Sequence, residues 1–229
     1  MEELTVKQVF KQLPFAAACF FLSLIFGALF AFFLQNFNKE ILEKILSLWS
    51  KRILLGVMIL GEKFSIAWFI LNNLIALLLI VVSCLLILLL PRSQIEFKRF
   101  RSFEKRRPKI ILSALYIIPI GALTINGFLL SLFSTYVLLN YGKEKFLFAI
   151  LLTFPHGINE ILALLFATSL VLAYLQILKP IILRGNLKLA VKKIKNLIAS
   201  RVTIFFTILI ILLVLFSGVL EGILTMFLK

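Results

Sequence analysis

The stretch VTIFFTILIILLVLFSGVLEGILTMFL, Val202 to Leu228, decides the fold. Its one charged residue is Glu221, and it exceeds the roughly 20 apolar residues that carry an α-helix across about 30 Å of hydrocarbon. Backbone N–H and C=O groups find no water there, so the run must cross as a helix, whose hydrogen bonds are internal. Four other runs share this character, at 13–35, 64–90, 110–139 and 146–178. Hydrophobic residues make up 62% of the 229 residues and mean hydropathy is +1.11, well above the roughly half-apolar usage of soluble domains. The expected fold is an all-α integral membrane protein, one transmembrane domain over residues 1–229 with five spans. The first run lacks a small-residue cleavage pattern after it and reads as a span, not a leader.

Two of the runs are too long for an upright span, and both carry residues that bend or break helices. Pro119 and the Asn126-Gly127 pair mark the third run, and Pro155 with Gly157 the fourth. Both are therefore expected to be interrupted helices, joined by a short turn over Tyr141 to Lys145. Between the first and second runs, Ile41, Ile45, Leu48 and Trp49 share a helical face, with Lys39, Glu43, Lys44 and Lys51 elsewhere. That is the pattern of a helix lying in the membrane interface. A second such helix is expected near the end of the fourth run, where Leu187, Val191, Ile194 and Ile198 recur at helical spacing among lysines.

The formal charge of +15 on a soluble protein would point to nucleic acid. Here the cations gather in two loops, 92–109 and 179–201, next to span ends, where Lys and Arg set orientation. No nucleic-acid partner is expected. Both loops are expected in the cytoplasm of a multi-pass cell-membrane protein, which puts the N-terminus inside. Anionic lipids are the natural partners of such loops. Cys19 and Cys84 sit inside apolar runs as small hydrophobes.

Polar residues inside the spans are costly unless partnered. Counting about 1.5 Å per residue from the cytoplasmic end of each span, Asn72 and Asn73 lie about 27 Å up and Asn126 about 25 Å. On the same count Glu160 lies about 28 Å up and Glu221 about 30 Å. His156 falls one turn from Glu160 on the same helix face. Four spans thus set their strongest polar groups at one level, in the outer part of the bundle, and a single cluster is expected there.

The run Pro155-His156-Gly157-x-x-Glu160 is similar to the most characteristic motif of the stage II sporulation protein M family. Asn72-Asn73, Asn126-Gly127 and Leu220-Glu221-Gly222 follow that family's order, and the resemblance covers roughly Phe64 to Thr225. It implies a small five- or six-span membrane protein; in spore formers one member acts with peptidoglycan-degrading partners during engulfment. The favoured expectation is accordingly a non-enzymatic membrane scaffold or assembly factor, meeting membrane or cell-envelope proteins and open to self-association. A small transporter, channel or lipid-handling protein is the alternative, because interrupted spans often line substrate sites. An intramembrane hydrolase using His156 and Glu160 ranks third: H-E-x-x-H is absent, and no Ser or Cys has an evident base partner. His156 and Glu160 one turn apart could ligate a divalent ion, but Pro155 opening a helix with Glu160 near its positive end is the simpler account. No catalytic residue, metal or cofactor is expected.

Overall fold

The computed structural model describes residues 3–48 and 107–227, apart from the side chains at 107, 152–156, 187, 221–222 and 224–227. Every regular element among the described residues is an α-helix. Helix α1 is Val6–Phe37, and residues 39–48 form α2. The run Arg107–Leu183 is two helices, broken at Gly142: α3 over 107–141 and α4 over 143–183. Leu187–Ile198 is α5 and Arg201–Phe227 is α6. The expected second span at 64–90 and most of the first basic loop fall outside the described residues.

Among the described residues, four stretches are long and apolar enough to cross a membrane: Val6–Phe37, Pro108–Leu151, Gly157–Leu183 and Arg201–Leu220. This is the build of a multi-pass helical membrane protein. Gly157–Leu183 is the inner helix, with 72% of its apolar window buried against 22–33% in the other three. Their outer faces carry exposed Phe15, Phe26, Ile117, Phe205 and Leu212, as apolar surface does where lipid replaces water.

Local chemistry sets the helix ends. Thr5 and Gln8 form a reciprocal capping box on α1, the Gln8 N–H donating to Thr5 Oγ1 at 3.3 Å and the Thr5 N–H to Gln8 Oε1 at 2.9 Å. Asn38 Oδ1 accepts from the Ile41 N–H at the start of α2, and Asn186 Oδ1 from the Leu189 N–H at the start of α5. At the end of α4 the Asn186 N–H reaches Ile181 O and the Gly185 N–H reaches Ile182 O, a Schellman closure with Gly185 at φ 73.

The breaks expected within the third and fourth runs do not occur. The backbone stays helical through Pro119, Gly127, Pro155 and Gly157, and the one non-helical residue in the whole run is Gly142, at φ 84 and ψ 173. A proline costs a helix one hydrogen bond, but an opened turn in hydrocarbon strands several backbone groups. The chain opens instead beside Lys143, Glu144 and Lys145, where water can take the freed groups, and where the turn was expected. At 1.5 Å per residue α3 and α4 are about 50 and 60 Å long, so each exceeds the hydrocarbon thickness without a kink.

Two compact units divide the described chain: residues 3–17, 107–123 and 164–210 form one, and 18–48, 124–163 and 211–227 the other. In the second unit α1 and α3 run parallel and close. Ala31 and Leu34 of α1, Leu42 and Leu46 of α2, and Leu132 of α3 form a buried cluster. The close approach uses two glycines: a Cβ on Gly27 would strike Phe128 O, and one on Gly127 would strike Ser23 Oγ and come within 3.0 Å of the Phe20 ring. Gly127 is thus a contact surface and not a break. On α2, Leu42 and Leu46 are buried, while Ile41 and Leu48 of the face expected in the membrane interface are exposed.

In the first unit Phe10 meets Phe166 and Phe206 edge-on and those two rings are tilted on each other, joining α1, α4 and α6 with ring centroids 5.8–6.2 Å apart. The buried face of α5 is Ala190, Lys193, Ile194 and Leu197. Of the expected apolar positions Ile194 is buried, Val191 is half-buried and Ile198 is exposed.

Candidate functional site

Glu160 is half-buried on α4, and its Oε1 accepts a hydrogen bond from Ser217 Oγ of α6 at 3.1 Å. Ser217 is fully buried. A carboxylate in an apolar span needs such a donor, because hydrocarbon penalises it more heavily than any neutral group. Ser217 is not among the expected site residues, although its position carries a signal: it sits one turn before Glu221, so the two share a helix face.

In the first unit α4 and α6 run antiparallel, Phe166 meeting Phe206 and Tyr174 meeting Thr203; in the second, Glu160 of α4 meets Ser217 of α6. One turn beyond the Glu160–Ser217 contact, α4 reaches position 156 and α6 reaches position 221. These backbone positions, with 126 and 160, belong to the second unit. The side chains of His156 and Glu221 are outside what is described, and Asn72 and Asn73 lie outside the described residues altogether.

Asn126 is exposed on α3. Successive helical residues are about 100° apart, and α3 turns Gly127 onto Ser23 and Phe20 of α1, which swings Asn126 off that packed face. Pro119 is buried in α3, and Gly157 has open space where a Cβ would be.

A second polar centre holds the first unit. Thr203 Oγ1 donates to Leu197 O at 2.5 Å, which uses its one proton. The Tyr174 hydroxyl at 2.6 Å and the Ser200 hydroxyl at 2.9 Å must therefore donate to it, filling both lone pairs. One threonine thus ties the end of α5 and the start of α6 to α4. Its sequence signal is Ser200-x-x-Thr203 before an apolar run, a cap whose Ser200 Oγ accepts from the Thr203 N–H. A third bond joins α1 and α3 in the second unit, where Gln35 and Asn140 exchange amide hydrogen bonds at 3.1 and 3.3 Å.

Not every buried hydroxyl is matched. Thr168 Oγ1 and Ser169 Oγ, on the inner helix, are buried and make no hydrogen bond. Among the described residues no three His, Cys, Asp or Glu side chains gather as a metal site would need. Compared with known proteins, the chain matches no family model, no curated protein and no solved structure.

Proposed function

We propose that this chain is a non-enzymatic scaffold or assembly factor of the cell membrane, as its resemblance to the stage II sporulation protein M family implies. One observation carries the reading: polar side chains in the spans are spent on one another across helix pairs. Glu160 takes Ser217, Tyr174 takes Thr203 and Gln35 takes Asn140. Pairs of this kind hold helix to helix and leave the outer surface to meet membrane or cell-envelope partners. The proposed cluster adds His156 and Glu221, which fall four residues from Glu160 and from Ser217 in the sequence.

The topology has five spans and a cytoplasmic N-terminus. It is supported by the parallel course of α1 and α3, because two parallel spans need a return crossing between them, and 64–90 is the apolar run available for it. Orientation follows from the cationic segments.

The alternative, a small transporter, channel or lipid-handling protein, is favoured by Thr168 and Ser169, whose buried hydroxyls have hydrogen-bonding capacity to spare. Thiol accessibility separates the two. In a background lacking Cys19 and Cys84, Ser217→Cys and Thr168→Cys should resist membrane-impermeant thiol reagents applied from either side of proteoliposomes. Rapid modification at either position would reveal a water-filled path and overturn the scaffold reading.

A further inference from the structure

The apolar surface of α5 is wider than the face the protein covers. Ala190, Ile194 and Leu197 pack inward. Val191 and Ile198 lie on the flank of that face, half-buried and exposed respectively. Beyond them on the same side, Lys188, Lys192 and Lys195 fall at i, i+4 and i+7 and form one exposed stripe. Around the helix the order is therefore packed face, uncovered apolar strip, lysine stripe.

Connectivity holds α5 at the membrane boundary. Three residues link it to the end of span α4, and two link it to the start of span α6. Three residues reach about 10 Å at most, so the helix cannot move out into water. The Thr203 junction fixes its C-terminal end against α4 and α6. Its own stretch of sequence is cationic throughout: no Asp or Glu occurs between Glu160 and Glu221, a segment carrying seven Lys and Arg residues.

We infer that α5 is an anionic-lipid-binding surface, with Val191 and Ile198 dipping into the acyl boundary and Lys188, Lys192 and Lys195 collecting phospholipid headgroups. A helix with an apolar strip flanked by lysines is partitioned in this way at an interface. The four-carbon stem of each lysine follows the apolar strip while its ammonium reaches the phosphates. The inference is independent of whether the bundle is a scaffold or a transporter.

The test uses the full chain with Cys19→Ser, Cys84→Ser and Ile198→Cys, labelled with an environment-sensitive fluorophore. It is placed in nanodiscs of equal parts phosphatidylcholine and phosphatidylglycerol, with each lipid brominated in turn. Both should quench, and brominated phosphatidylglycerol should show at least about a fivefold higher apparent affinity, the gain expected from about one lysine's worth of attraction. Raising the salt should erode that preference in the unaltered chain. K188Q/K192Q/K195Q should bring it to parity while phosphatidylcholine still quenches. Equal quenching by the two lipids in the unaltered lysine background would reduce the stripe to a topology signal. Absence of quenching by either would mean that protein covers the strip, and each result overturns the inference.

Discussion

Gly27→Ala sets one methyl group against backbone. The new Cβ would collide with Phe128 O and lie 3.2 Å from Phe128 C and 3.1 Å from Ser131 Cβ. A carbonyl in a helix cannot rotate aside, so α1 and α3 must separate, which loosens the Ala31, Leu34 and Leu132 contacts beside it. Overpacking of this kind costs about 1–3 kcal/mol, and the upper end applies because the obstacle is backbone. Alanine recovers about 1 kcal/mol through its better helix propensity, leaving a net loss of about 2 kcal/mol. Gly127→Ala should cost less, because its obstacles are the Ser23 hydroxyl and the Phe20 ring, side chains that can shift. Gly121→Ala and Gly157→Ala meet nothing within 4 Å and should be neutral or slightly stabilising. Steric-trap unfolding in bicelles measures all four on one scale. A Gly27→Ala protein as stable as the Gly121→Ala protein would refute the close contact of α1 with α3. Marked destabilisation by Gly157→Ala would refute the unbroken helix through the Pro155 motif.

Thr203→Val should destabilise the bundle by about 1–3 kcal/mol, since it removes the acceptor of the Tyr174 and Ser200 hydroxyls and the hydroxyl donor to Leu197 O. Tyr174→Phe should cost only about 1 kcal/mol, and the same unfolding assay orders the pair. A double-mutant cycle between Gln35→Ala and Asn140→Ala should give a coupling of about 0.6 kcal/mol, typical of hydrogen bonds between spans. Glu160→Gln keeps an acceptor for Ser217 and should be nearly neutral in stability. Glu160→Ala removes an acceptor of that buried hydroxyl and should cost about 1–3 kcal/mol; equal losses in the two would mean that the charge itself is used. Cysteines at Lys143 should be labelled from outside intact cells and those at Lys188 should not, with the opposite result reversing the proposed orientation.

Hydropathy and local punctuation made the elements legible. The apolar runs at 13–35, 110–139 and 146–178, and the last run as far as Phe227, lie on helices, and the turn expected over Tyr141 to Lys145 opens at Gly142. The lysine-rich segment after the fourth run forms α5 as its spacing implied. These features depend on a residue's exchange between water and hydrocarbon, or on the torsions it tolerates, and both are properties of the chain itself.

Which face of each helix meets protein is a different matter. In a soluble helix the polar side marks the exterior, but in a membrane lipid and core are equally apolar, so Leu42 and Ile41 look alike although one is buried and the other exposed. The same loss of contrast hid the inward turn of Ala190 and Leu197 on α5. It also concealed that Gly127 takes the contact with α1 and leaves Asn126 exposed. Glu160 was marked out by its cost in hydrocarbon, but its partner Ser217 lies 57 residues away, and no local pattern announces a bond made across two helices. The chain by itself determined what must cross the membrane and where charge must stay in water, because transfer energies add residue by residue. Only the tertiary structure decided which polar group answers which, because that depends on the rotation and register of packed helices.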